Sequence, residues 1–442
     1  MQLPEDFIRQ TRKVMGDERF ERYIASFGDE PPVSIRINPL KASTEGERVP
    51  WCKEGYYLPA RPNFTFDPLL HAGCYYVQEA ASMFVSHVLS HILDTLSPPV
   101  EPIAMLDLCA APGGKSTAVR SILPAGSLLV SNEPMRQRAQ ILLENMEKWG
   151  APDCIVTNAY PKDFRRSGTM FDIILCDVPC SGEGMFRKDP ATIGEWSLQN
   201  VGKCWRLQRE IVSDAWACLR PGGWLIYSTC TLNTLENEEN VKHFKEALGA
   251  EVIPVPVASE WNITGSLLEG FDAPVYRFIP GISRGEGLFM ALLRKPADAP
   301  LLYSDTSGNR GMNIGNAKPS IERLRKTITA KIHTLWDGNA PQPVSKGKDK
   351  IPVHAQALYT GAQGEQYPKV EITYTQAISY LRREAIILPP ETPRGFIIVT
   401  FRGVPLGFVK NIGNRANNHY PEMWKIKTTH IPDEYEAILR HP

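Results

Sequence analysis

The chain has no charge imbalance: 49 basic residues stand against 49 acidic ones, for a formal net charge of zero. A global basic field is therefore excluded as a means of drawing it to nucleic acid, and any basic surface must be local. No hydrophobic run approaches the roughly 18 apolar residues that a membrane span needs. The opening "MQLPEDFIRQ" has no basic start leading into an apolar stretch, so a cytoplasmic protein with no membrane partner is expected. None of the nine cysteines forms a CxxC pair, which removes the usual zinc-binding spacing and leaves no metal implied. Without a secretory leader a disulfide framework is not expected either. The thiols are left with core packing or chemistry, and no internal repeat is visible.

What is present is a chain of 442 residues, enough for two to four domains. From Glu101 to about Pro296, short apolar runs alternate with helical stretches: "AMLDL", "SLLVS", "CIVT", "FDIILC" and "WLIYS". That alternation is βαβ grammar and predicts an α/β fold with a parallel sheet. The spacing of Leu142, Met146 and Trp149 predicts a helix over 134–149, capped by Gly150. Beyond Pro296, "KPADAPLLYSDTSGNRGMNIGNAKPS" reads as a linker. A basic helix, "IERLRKTITAKIHTLW", and a polar break around "SKGKDK" follow. The tail has strands "VEITY" and "GFIIVTF", a tight turn at "RGVPLG" and a helix "TQAISYLRREA", the pattern of a small mixed β domain.

The strongest local signal is "LDLCAAPGGKS", in which an apolar strand ends in Asp107 and small residues with two glycines lead into a helix at about Lys115. Glycine there lets the backbone approach a ligand closely, and a carboxylate or a phosphate would suit the site. The spacing matches neither a Walker loop nor GxGxxG. Glu133 ends the next strand, where an acid commonly accepts from ribose hydroxyls, and Asn158 ends the third and could face an adenine. Three polar strand ends in succession favour an adenosine-containing ligand. The fourth and fifth strands end in "DVPCS" and "YSTCT", each with a cysteine.

Together, "LDLCAAPGGKS", "DVPCSGEGMFRKDP" and "YSTCTLNTLENEENV" resemble the Nop/Sun (RsmB/NOP) family of RNA cytosine-carbon-5 methyltransferases, as do "SIRINPLK", "YYVQEAASM" and "LFMALLRKP". "GFIIVTFRGVPLGFVKNIGNRANNHYP" is similar to the PUA-like C-terminal part of a bacterial ribosomal RNA methyltransferase branch of that family. The resemblance implies a class I Rossmann-like core using S-adenosylmethionine, a small N-terminal α+β region and a C-terminal PUA-like β-rich domain. The expected division is an RNA-recognition-like region at 1–65, the methyltransferase core at 66–298, a linker and small intermediate region at 299–365, and the PUA-like RNA-binding domain at 366–442. It further implies that Cys109, Ala110, Ala111, Pro112, Gly113, Gly114 and Lys115 surround the methionine part of the cofactor. Glu133 would hold the ribose, and Asp177 would lie near both cofactor and target base. Cys230 would be the nucleophile and Cys180 would assist product release. Family members often carry an aspartate after the third strand where this chain has "TNAYPKDF".

Two thiols suit that chemistry. Carbon 5 of cytosine is a poor nucleophile until a thiolate adds to carbon 6, and afterwards the enzyme–base bond must break again. Asp177 would serve the ring through charge building at its nitrogen 3 and oxygen, which asks for a protonated carboxyl if it donates there. Arg187 and Lys188 are candidates for a phosphate of the target strand, Trp196 and Trp205 for stacking or for the core, and Arg402, Lys410 and Arg415 for RNA contact by the tail. The expected partner is RNA, ribosomal before transfer RNA, free or in a ribosomal subunit or assembly intermediate, and the simplest oligomeric state is a monomer. The target cytosine would be unpaired or flipped from its stack. A DNA cytosine methyltransferase would attack with the cysteine of its PC motif and would not need Cys230. A non-catalytic assembly factor would not need both thiols.

Overall fold

The computed structural model describes residues 3–98, 100–299, 320–339, 341–346, 349–361, 367–428, 431–432 and 434–440. Two helices, Glu5–Met15 and Asp17–Ala25, open the chain and are separated by Gly16 at φ 75°. The first buries Phe7, Thr11 and Met15, one stripe at helical spacing. A three-stranded antiparallel sheet follows, with β1 (Val33–Ile37) between β2 (Gly55–Leu58) and β3 (Tyr75–Val77).

The central sheet takes β4 (Ala104–Asp107), β5 (Leu128–Asn132), β6 (Cys154–Thr157), β7 (Phe171–Asp177), β8 (Leu219–Thr229), β9 (Glu251–Ile253), β10 (Val275–Phe278), β11 (Leu288–Arg294) and β12 (Thr334–Asp337). Their order is β10-β11-β8-β7-β4-β5-β6-β12, with β9 paired to β11. The five apolar runs form the parallel part, β8-β7-β4-β5-β6; β11 and β12 run antiparallel to it at its two flanks, and β10 pairs antiparallel with β11. Successive strands step one way from β4 to β6 and the other way through β7 and β8, so the order reverses between β4 and β7. In such sheets the crevice beyond the carboxyl ends at that reversal receives ligands.

Both faces of the sheet are covered, which is why its strands are apolar throughout rather than alternating. Met105, Ile173, Leu175 and Ile226 pack in one core layer, and Leu106, Ile174, Cys176 and Leu225 in the other. The expected helix forms at Arg136–Trp149 and ends on Gly150 in the left-handed region at φ 70°, whose amide donates to the Met146 carbonyl.

Part of the segment read as linker, from Pro300 to Pro319, lies outside the described residues. After it, the basic helix forms at Ile321–Lys331, and the residues that close its motif become β12, antiparallel to β6. A hairpin of β13 (Val344–Lys346) and β14 (Asp349–Ile351) flanks the "SKGKDK" break. The tail sheet runs β15 (Lys369–Glu371), β16 (Gly395–Phe401), β17 (Val404–Asn411), β18 (Ala416–Asn418). The strand expected at "VEITY" stops early because Thr373 caps the helix Tyr374–Leu381, its hydroxyl accepting from the Gln376 amide. The expected tight turn is Arg402-Gly403, at φ 51° and 78°, the double left-handed geometry that suits a two-residue hairpin. Ile35, Leu69 and Tyr75 share one buried cluster with Ile378, Tyr380 and Tyr420, so the tail is seated on the N-terminal sheet. Among the described residues no helix is long and apolar enough to cross a membrane, and no cluster of His, Cys, Asp or Glu could hold a metal ion.

Candidate active site

The β4 tip leads into the glycine loop. Gly113 caps the helix Gly114–Arg120 at φ 112°, and a Cβ on Gly114 would stand 3.3 Å from the Tyr76 ring. The loop is pinned from outside: Arg138 donates to the Ala111 carbonyl (2.9 Å), Asn145 to that of Pro112 (2.8 Å), and the Ala110 amide to Asn132 (2.8 Å). Asp107 is fully buried, accepts from the Ser116 hydroxyl at 2.6 Å through Oδ2, and is pushed up to about 7, chiefly by burial. Burial likewise pushes the Cys109 thiol well up, which leaves it a packing group rather than a nucleophile.

Glu133 is 1% exposed; its Oε1 accepts from the Met135 amide at 2.9 Å. Its Oε2 lies 3.3 Å from Arg138 but has no hydrogen-bond donor, and Asp107 Oδ1 has none either. Buried acceptors left open in this way favour a ligand that brings its own donors. A ribose diol does so, so the residues fit an adenosine cofactor. Asn158 stands behind this site: its amide nitrogen donates to the carbonyls of Glu133 (2.7 Å) and Pro134 (2.9 Å), holding the acid in place.

Between the glycine loop and the thiols lies Asp177, at the β7 tip. Its Oδ2 accepts from Lys115 Nζ at 2.9 Å. Burial pulls the Lys115 ammonium down, but Asp177, with Cys230 and Asp107, more than offsets this and raises it overall. One carboxylate and one cation thus meet across the reversal point of the sheet.

The two cysteines from the ends of β7 and β8 do converge. Cys180 Sγ and Cys230 Sγ lie 3.0 Å apart, both are free and half-buried, and the Cys230 amide points at Cys180 Sγ (3.3 Å). The contact with Cys230, then burial, push the Cys180 thiol well above its ordinary value. Either sulfur can be the donor across that contact.

Behind the sulfurs is a buried polar lattice that the sequence reading missed. Glu183 accepts from the amides of Leu232 (2.9 Å) and Asn233 (2.8 Å) and from Trp196 Nε1 (2.9 Å). Glu236 accepts from the Ser181 amide (3.0 Å), from Gln208 (2.7 Å) and from Asn233 (2.9 Å). Burial raises Glu236 to about 7 although these donors pull it down. Arg277 and Glu238 form a fully buried ion pair beneath, and Arg277 also donates to the Leu232 carbonyl at 2.7 Å. The run "LENEEN" after Cys230 was the available sign, since acids that dense are rarely needed for solvation alone.

Two expectations for RNA contact, at Arg187 and Arg402, are corrected by the partners these side chains take within the chain, and Trp196 takes the core place that was its alternative. Arg187 is not on the surface: its side chain is 7% exposed, grips Glu286 at 2.8 Å, and donates to the carbonyls of Ser26 and Gly285. Only Lys188 of that pair is exposed. Trp196 is core, edge-on to Phe7 at 5.6 Å, whereas Trp205 is half-buried under Arg209. Arg402 ties down the end of the chain by donating to Leu439 (2.8 Å) and Arg440 (2.9 Å). Lys410 is half-buried over Phe396, and Arg415 is exposed.

A Rossmann-like sheet with a glycine loop on β4, an open acid after β5 and reactive groups at the β7 and β8 tips defines a methyltransferase whose cofactor is S-adenosylmethionine. Residues 94–294 match the family model of 16S rRNA methyltransferase RsmB/F, residues 3–80 that of the N-terminal domain of 16S rRNA methyltransferase RsmF, and residues 367–426 that of the methyltransferase RsmF PUA domain. The three matches tile most of the chain, which is similar to the RsmB/F family and is an S-adenosylmethionine-dependent RNA methyltransferase. It is 28% identical to ribosomal RNA small subunit methyltransferase F of Shewanella oneidensis, over 98% of this chain and all of that one. The Shigella flexneri protein of the same name is also 28% identical, over 95% and 96%. Among solved structures, a methyltransferase homolog from Pyrococcus horikoshii is 25% identical with a TM-score of 0.56, covering 66% of this chain and 95% of its own. NSun6 from the same organism, at 22% identity and a TM-score of 0.55 over 66% and 98%, shares the fold.

Proposed function

We propose that the protein methylates carbon 5 of a cytosine in small-subunit ribosomal RNA through a covalent adduct with Cys230. The observation that carries this reading is the pair of free sulfurs 3.0 Å apart at neighbouring strand tips. A methyltransferase acting on an oxygen or an amine has no use for two thiols there. The names of the relatives support ribosomal RNA as the substrate class.

The Cys230 thiolate adds to carbon 6 of the ring, and the electron pair so displaced makes carbon 5 the nucleophile. S-adenosylmethionine supplies the electrophilic methyl group, held by residues 109–115 and by Glu133. The Asp177–Lys115 pair faces the ring and stabilises the charge that builds on its nitrogen 3 and oxygen during addition; Lys115 already carries a proton to donate, so Asp177 need not. After transfer, the carbon 5 proton leaves to water and its electrons re-form the double bond as the carbon 6–sulfur bond breaks. Cys180 keeps its proton and donates to the departing Cys230 sulfur, which makes that sulfur a better leaving group. The half-buried thiols are reached by a base that is unpaired or flipped out. Lys188 and Arg415 are the exposed cations left for the strand.

The test is transfer of labelled methyl from S-adenosylmethionine to separated ribosomal and transfer RNA. The expected result is 5-methylcytosine in ribosomal RNA, lost with Cys230→Ala, and an accumulating protein–RNA adduct with Cys180→Ala. Label confined to transfer RNA would overturn the substrate, and full activity of Cys230→Ala would overturn the covalent route.

A further inference from the structure

The two loops that carry the thiols exchange carboxylates. Glu183 lies on the Cys180 loop, yet its Oε2 accepts from Leu232 and Asn233, immediately beyond Cys230. Glu236 lies on the Cys230 loop, yet its Oε2 accepts from the amide of Ser181, next to Cys180. Asn233 Nδ2 closes the figure, 3.1 Å from Glu183 and 2.9 Å from Glu236. A backbone bond runs alongside, from the Gly184 amide to the Cys230 carbonyl at 2.9 Å. Gly184 can have no side chain there, because a Cβ would stand 2.6 Å from Gly287 and 2.8 Å from that carbonyl. From the helix Leu198–Ala217, Gln208 binds both the Pro179 carbonyl (2.9 Å) and Glu236.

Both carboxyl groups are buried, at 2% and 0% exposure, and neither has an ion-pair partner among the described residues. Burying an acid without a cation is costly, and ordinary loop packing does not require it. What a carboxylate offers is acceptors only: each oxygen here meets donors, two of them on the opposite loop's backbone in the case of Glu183. A glutamine would turn its own N–H groups against those donors.

We propose that Glu183 and Glu236 are positioning residues of the reaction, a reciprocal brace in which each fixes the backbone beside the other loop's cysteine and so sets the separation of the two sulfurs. The role rests on the reading that both thiols act on the base. Attack by one sulfur and release by the other demand that the second stay within hydrogen-bond reach of the first throughout the cycle. A displacement of about 1 Å at such a point can cost about 100-fold in rate.

The brace is tested with Glu183→Gln and Glu236→Gln in the full chain, with Glu236→Asp, which shortens the reach but keeps the charge, as the variant to use should either fail to fold. The direct readout needs neither RNA nor activity: closure of the Cys180–Cys230 disulfide by diamide. The two thiols lose two protons and two electrons, and diamide is reduced to its hydrazine. Wild type is expected to close at least about tenfold faster than the variants. In methyl transfer the variants are expected to lose about 10- to 100-fold in kcat with KM for S-adenosylmethionine unchanged. Trp196→Phe removes a donor to Glu183 Oε1 but leaves both bonds from the Leu232 and Asn233 amides to Oε2, and is expected to leave disulfide closure at the wild-type rate. Wild-type closure in both Gln variants overturns the brace; slowed closure with unchanged kcat overturns its role in the reaction. Full activity in Cys230→Ala would instead overturn the covalent reading, leaving the closure rates to stand as a measure of loop geometry.

Discussion

Two ends of one sheet edge handle buried charge in opposite ways. At the β4 and β5 tips, carboxylate oxygens of Asp107 and Glu133 are left without donors. At the β7 and β8 tips, Glu183 and Glu236 are saturated with donors from within the chain. On the proposed reading the first end receives a ligand that carries hydroxyl groups, which its open polar atoms suit. On the same reading the second end holds two sulfurs at a fixed separation, which its closed-off polar atoms suit. Open acceptors mark recognition here, and satisfied ones mark alignment.

The comparison can be broken most forcefully at the thiol end. Arg277→Met leaves Glu238 buried without its cation and is expected to lower stability by about 3–5 kcal/mol, read from urea unfolding. A loss under about 1 kcal/mol would mean that this lattice is not the rigid half of the site.

The next effect lies at the cofactor end and depends on pH. Asp107 has a folded value raised to about 7. Its contribution is therefore fully present below its unfolded value and is lost as pH rises through about 7. Asp107→Asn keeps an acceptor for Ser116 and removes the open anion. It is expected to match wild type near pH 4 and to exceed it by about 4 kcal/mol at pH 8, measured as the difference in unfolding free energy. Parallel stability curves across that range would show the site closed by other means.

The smallest effect sharpens the contrast. Glu133→Gln is expected to weaken S-adenosylmethionine binding about tenfold by calorimetry, while the melting temperature of the free protein stays within about 2 °C. A large fall in that temperature would class Glu133 with the braced carboxylates.

Much of the architecture was legible because buried parallel strands are written as apolar runs and their tips as breaks in them. Asp107, Glu133, Asp177, Cys180 and Cys230 were all readable as strand-end residues. The lattice behind the sulfurs was not, since Ser181 and Glu236 are 55 positions apart and nothing local to either marks the pairing. Arg187 misled for the same reason: beside Lys188 and Asp189 it has the look of a solvated cation, and the acid that buries it, Glu286, lies 99 positions on. Trp196 was ambiguous until the N-terminal helix brought Phe7 against it. The strand at Thr334–Asp337 was hidden because "IHTLWD" is short and follows a helix without a break, so that "HTLW" read as the end of the basic helix.

That last strand governs how the molecule can be cut. β12 covers β6 along the outer edge of the central sheet, from Thr334 against Thr157 to Asp337 against Ile155. A fragment ending at Pro296 would keep every group discussed for catalysis but uncover a hydrogen-bonding rim of Cys154, Ile155, Val156 and Thr157, apolar and without a charge to deter pairing. Open strand edges of that kind join to one another. The isolated catalytic region should therefore self-associate through β6, and the segment that follows it serves as a guard against aggregation.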